Sequence, residues 1–250
     1  MTWVRAGLKV PPSPRPGIRA LLSDFILALP VLVFSVVAHE YAHGAAALRQ
    51  GDDTALMLGR LTLNPVPHID PWMSLLLPAL LWFGSGGSFT FGGAKPVPVN
   101  PRKYRQYRRG DIIVSSAGVV VNLGLALVFS ALFVAIGLLG RAVPDLAAGL
   151  DTAQRMMTWG IWLNIMLAAF NLIPIPPLDG SHLFYHALPP AWGVRYRAIA
   201  NYGALPLLAV MLLVPGAISF LLTPARYGAV GLLRLVVPYA VGDGWNIFAR

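Results

Sequence analysis

The chain is predicted to be an all-α polytopic membrane protein, with about five to six transmembrane helices, a re-entrant segment and short membrane-associated strands. Three observations lead there. Of its 250 residues, 56% are hydrophobic and only 12% charged, whereas a soluble domain is about 45–50% apolar and about 25% charged. The apolar residues gather into runs, several of which approach the roughly 20 helical residues that a bilayer crossing needs. Seven Trp and eight Tyr suit the aromatic belts of a membrane interface. The net charge of +9 could suggest nucleic acid, but the basic residues sit in short clusters between apolar runs. That pattern fits loops facing anionic lipid, so no nucleic-acid partner is expected. There is no Cys, which excludes disulfides and thiolate metal sites; any metal must sit on His, Asp or Glu.

Residues 1–20 mix Arg5, Lys9, Arg15 and Arg19 with prolines and read as a basic tail, leaving 21–250 as a single membrane-embedded domain. A signal peptide is not expected, because the next run carries His39-Glu40 instead of a small-residue cleavage site. Apolar runs follow at 21–48, 71–87, 111–140, 156–173, 199–222 and 227–241. The first, third, fourth and fifth are long enough to span, or nearly so. The run 227–241 is short and holds Arg234. The run 71–87 is also short, contains Pro78 and dissolves into Gly84-Ser85-Gly86-Gly87, which suits a segment that enters and returns. Residues 49–70 and 88–101 are too rich in Pro and Gly for helix and alternate enough for short strands or extended loops. No internal repeat or heptad is visible.

The sharpest chemical signal is His39-Glu40-Tyr41-Ala42-His43. On a helix, residues four apart share a face, so both imidazoles can reach one ion while Glu40 stays close enough to act on its water. The spacing alone is weak. Within an apolar run it gains weight, because ionisable groups there cost a few kcal/mol each on insertion scales. The competing reading is two hydrogen-bonded histidines beside a buried neutral Glu. Catalytic zinc takes three protein ligands and keeps a position open for water, so a third is required. Asp179 is the best candidate: Pro174, Pro176 and Pro177 must unwind the end of the fourth run, and irregular backbone at membrane depth is tolerated where it lines a cavity. Asp179 could instead merely cap a helix around 181–188. His182 is the reserve ligand, with His186 sharing its helical face and His68 a further reserve; hydrogen bonding around the metal is the other role open to them.

An H-E-x-x-H in an apolar helix joined to Asn171-Leu172-Ile173-Pro174-Ile175-Pro176-Pro177-Leu178-Asp179-Gly180 resembles the site-2 protease family of intramembrane zinc metalloproteases. The segments Asn64–Pro71 and Phe91–Asn100 are similar to those of its compact prokaryotic members without PDZ or CBS domain. The resemblance covers roughly residues 25–190 and implies one zinc per chain on His39, His43 and Asp179, with Glu40 activating water. It also implies a multi-pass protein of the cell membrane that acts in regulated intramembrane proteolysis. The family often has a Gly-Pro-x-x-Asn element, matched here by Gly118-Val119-Val120-Val121-Asn122 with Val119 in place of Pro. For Asn122 and Asn171, a contact with the substrate backbone or oxyanion and a helix–helix contact are both open.

If His39, His43 and Asp179 meet at one depth, their two helices must run in the same direction, so an odd number of crossings separates them. That holds if 111–140 spans and 71–87 returns to its own side. The basic loop from Lys95 to Arg109 then shares the side of the site, which the positive-inside rule makes cytoplasmic. The expected partners are the bilayer and a membrane protein or peptide substrate, with a regulatory membrane partner left open. The rival reading is a metal or proton transporter built on the same His/Glu/Asp cluster, but transporters usually show paired repeats. A non-catalytic relative that only binds membrane helices is a third.

Overall fold

The computed structural model describes residues 17–87, 90 and 92–247, so most of the expected basic tail lies outside the described residues. Ile18–Gln50 forms one helix of 33 residues, α1. At about 1.5 Å per residue it is about 50 Å long, well beyond the roughly 30 Å of hydrocarbon it would cross. A short helix α2 (Thr54–Met57) follows, and then a π-helical turn at Pro71–Leu76 that runs into α3 (Leu77–Gly84). Two long helices come next, α4 (Tyr107–Ala142) and α5 (Ala147–Asn171). The remainder is shorter: α6 (Asp179–Ala187), α7 (Pro190–Ile199), α8 (Leu205–Leu213), α9 (Ala217–Leu221) and α10 (Thr223–Val236).

Helices α1, α4 and α5 make the body, and their polar contacts fix direction and register. Val114 meets His43 while Asn122 meets His39, so α4 runs antiparallel to α1. Asp24 pairs with Arg155 and Ser35 with Asn164, so α5 runs parallel to α1. Trp82, Phe129, Phe133, Trp159 and Ile161 fill the space among them. Leu22, Ile26, Val120, Leu127 and Val128 point outward, as a lipid-facing surface requires.

Two expectations need correction. No strand occurs among the described residues. In the second connection Pro96, Pro98 and Pro101 lack the N–H that a ladder needs, and the remaining donors go elsewhere: Lys95 N–H to the His68 carbonyl, Val97 N–H to Glu40 and Asn100 N–H to Asp52. The second correction concerns the crossings. Among the described residues two helices, α1 and α4, are long and apolar enough to cross, or three if Pro190–Tyr202 and Leu205–Leu213, bent by 87°, form one broken span. The run 199–222 is interrupted at Gly203 and again at Pro215-Gly216, and the run 227–241 stops as a helix at Val236. Helix α5 has the length, about 37 Å, but it buries Gln154, Arg155, Thr158 and Asn164 against its neighbours and so reads as too polar.

Candidate metal centre

Helical periodicity brings His39 and His43 to one face of α1, where their rings meet edge to face with centroids 4.6 Å apart. Asp179 arrives from the turn after α5. The prolines at 174, 176 and 177 end that helix at Asn171, and α6 begins with Asp179 as its first residue. The cap position belongs to Leu178, and no side chain caps the helix, so the Asp179 carboxylate is spent elsewhere. Gly180 is what lets the turn close: a Cβ there would collide with the backbone of Leu172 and Ile173.

Each imidazole commits its Nδ1 to an oxygen. His39 donates to Asn122 Oδ1 at 2.5 Å and His43 to the Val114 carbonyl at 2.7 Å. In a neutral imidazole an Nδ1 that donates carries the one ring proton, which leaves a lone pair on each Nε2. Both Nε2 atoms face Asp179 Oδ2, at 3.2 and 3.3 Å. That oxygen is buried and has no hydrogen-bond partner. Three acceptors converging with no donor between them are unfavourable unless they share a cation. Around tetrahedral zinc, bonds of about 2.0–2.1 Å set neighbouring ligand atoms about 3.3 Å apart. Two imidazole nitrogens and a carboxylate oxygen are also a donor set that zinc takes. These residues fit the ion.

Glu40 follows His39 on α1, and its Oε2 accepts the Val97 N–H at 2.8 Å. Val97 belongs to the extended segment after α3, and an apolar cleft lined by Leu32, Val33, Val36, Val37 and Gly92–Ala94 lies between that segment and α1. Other residues singled out in the sequence fall outside this centre. His182 and His186 both turn to Asp111 of α4, at 3.4 and 2.7 Å, and not to the metal position. His68 is fully buried and contacts the Thr62 carbonyl at 3.0 Å. Neither His182 nor His68 joins the group formed by His39, His43 and Asp179. Asn122 does not hold a free polar end for an oxyanion: it is 0% exposed, with its oxygen on His39 and its nitrogen on Asn164. Asn171 turns its amide nitrogen back to the Leu167 carbonyl. Sequence reasoning missed Asp111, whose signal was a helical His pair with no carboxylate of its own. It also missed Asn164, a lone amide in an apolar run.

Such a centre, set into a bundle of apolar helices, defines a membrane metallohydrolase. Peptidase family M50 is the family whose sequence model matches, over residues 141–214. YwhC of Bacillus subtilis, named as a candidate zinc metalloprotease, is 38% identical over 206 residues, which cover 82% of this chain and 88% of that protein. The chain belongs to peptidase family M50 and is an intramembrane zinc metalloprotease of that family. Two further relatives are both named Rip2, again as candidate zinc metalloproteases. The one from Mycobacterium tuberculosis H37Rv is 32% identical over 219 residues, covering 86% of this chain and 74% of that protein. The one from Mycolicibacterium smegmatis is 35% identical over 170 residues, covering 66% and 57%. No solved structure gives a significant match.

Proposed function

We propose that His39, His43 and Asp179 hold one zinc ion per chain, and that Glu40 is the base in hydrolysing peptide bonds in or near transmembrane segments of protein substrates. The observation that carries this reading is the buried Asp179 Oδ2, which has no hydrogen-bond partner and lies within 3.3 Å of the Nε2 atoms of His39 and His43. Zinc, when bound, supplies Lewis acidity and lowers the pKa of a water from 15.7 towards about 7. Glu40 takes the proton from the attacking water and returns it to the leaving amine. The Val97 N–H holds one carboxylate oxygen, so the other is free for both transfers while the side chain stays in place. Val36 and Val37, which line the cleft, lie within one helical turn of Glu40. Asn171 keeps a carbonyl oxygen that can accept from the substrate backbone.

The site lies nearer the cytoplasmic face in this reading. Arg105 N–H bonds the Gln50 carbonyl at the end of α1, so the basic loop 95–109 shares the site's side, and such loops are retained inside. The lipid bilayer and a membrane protein substrate are the partners this arrangement requires, with a regulatory membrane partner left open.

The test uses purified protein in detergent with a panel of single-span substrates. Cleavage should stop with chelator and return with zinc. His39→Ala, His43→Ala and Asp179→Ala should each lose most of the metal. Glu40→Gln should keep zinc and fold yet lose about 10²-fold or more in rate, because an amide cannot accept the proton. Substantial turnover by Glu40→Gln would remove that residue from the role.

A further inference from the structure

We propose that Asn164 is a positioning residue of the metal centre: acting through Asn122, it determines which nitrogen of His39 is free to bind zinc. The inference rests on the zinc site proposed above.

The chain of reasoning starts at a group that cannot turn. The Gly160 carbonyl belongs to the α5 backbone and can only accept. Asn164 Nδ2 lies 2.9 Å from it and 2.8 Å from Ser35 Oγ. That end of the carboxamide must therefore be the amine, since a reversed amide would set oxygen against oxygen. Asn164 Oδ1 then faces Asn122 at 2.8 Å, so Asn122 must present its own Nδ2 there. Its Oδ1 is left pointing at His39, 2.5 Å from Nδ1. An oxygen at that position requires the proton on Nδ1, and Nε2 is left bare towards Asp179.

His43 obtains the same tautomer in one step, from the Val114 carbonyl. His39 obtains it in three, from the Gly160 carbonyl. Ser35, Asn122 and Asn164 are all 0% exposed, so bulk water does not compete for these bonds. Three polar side chains in apolar helices could serve merely as interhelical contacts. What argues otherwise is that the series has a direction and ends on a metal ligand. Gln154 of α5 offers the contrast: its Nε2 donates to the Phe133 carbonyl of α4 and to the Tyr239 carbonyl after α10, and its Oε1 accepts the Val241 N–H, with no metal ligand at its end.

Zinc affinity of the purified protein, measured by competition with a chelator, tests the proposal. Asn164→Leu should weaken zinc binding by about tenfold or more, the scale seen when a group supporting a metal-bound histidine is removed. Gln154→Leu should lower thermal stability and leave zinc affinity unchanged. Asn122→Asp supplies the rescue. A carboxylate accepts from His39 Nδ1 whichever way it turns, so it no longer depends on Asn164, and Asn122→Asp/Asn164→Leu should regain the affinity that Asn164→Leu lost. If Asn164→Leu does not fold, Asn164→Ser, too short to reach Asn122, carries the same expectation. Unchanged affinity in the Asn164 variant, or a loss that Asn122→Asp does not restore, overturns the proposal. Full zinc in His39→Ala would instead overturn the site on which it rests.

Discussion

Gly118 stands on α4 one turn before Asn122, and the His39 ring occupies the space where its side chain would begin. A Cβ there would fall closer to three ring atoms of His39 than van der Waals contact permits. Gly118→Ala must therefore push the ring off Asp179 or push α4 off α1. Zinc affinity should fall about tenfold or more while helix content by circular dichroism is retained; unchanged affinity would mean that the ring can shift without leaving the metal. The position also shows what a sequence can and cannot disclose at this scale. His39, Glu40 and His43 were legible because their relation is local, fixed by one helical turn. Asp179 was legible because three nearby prolines had to open the helix before it. Gly118 and Asn122 were visible as a pair, but their purpose depends on a ring 83 positions from Asn122. Asn164 announced only that an amide was being kept inside an apolar run, at a cost that asks for a reason. Its partners come from two other helices.

At the scale of elements, the segment after α3 was the hardest to read. Its alternation suggested strand, yet Pro96 and Pro98 remove every second donor, and the donors that remain are used singly. The Val97 N–H is the one with chemical consequence, because it is spent on Glu40. Two substitutions separate the backbone from the side chain. Val97→Ala keeps the N–H and removes only methyl groups that rest against Gly44; activity should stay close to that of the parent protein. Val97→Pro removes the N–H, and the residue is already confined to extended backbone by Pro98. With its carboxylate untethered, the enzyme should lose roughly tenfold or more in kcat with KM little changed. Equal activity in the two variants would show that Glu40 needs no anchor. The broken helices after residue 199 have a similar explanation. Composition alone supported one long run there, but glycine and proline at 203, 206, 215 and 216 divide it into α8 and α9.

For the whole molecule, the decisive relation is that α1 and α5 run in the same direction with α4 antiparallel between them in sequence. The Asp24–Arg155 pair and the Ser35–Asn164 contact hold that register at two levels. It brings His43, near the end of α1, to the depth of Asp179, just beyond α5. The condition is that 71–87 does not cross. Its geometry supports a return: α3 reaches down until Trp82 bonds the Leu21 carbonyl, and the chain then comes back until Gly93 N–H meets the Met73 carbonyl and Lys95 N–H meets that of His68. Both ends of the excursion are thus held together on the side of the metal centre. The absence of cysteine permits a direct test. Single cysteines placed at the exposed positions Leu58, Arg102 and Asp145 can be probed in oriented membranes with an impermeant thiol reagent. Leu58→Cys and Arg102→Cys should react from the cytoplasmic side, and Asp145→Cys from the opposite side only. Reaction of Leu58→Cys and Arg102→Cys from opposite sides would mean that 71–87 crosses. Two crossings would then separate α1 from α5, the helices would run in opposite directions, and His39 could not share a depth with Asp179.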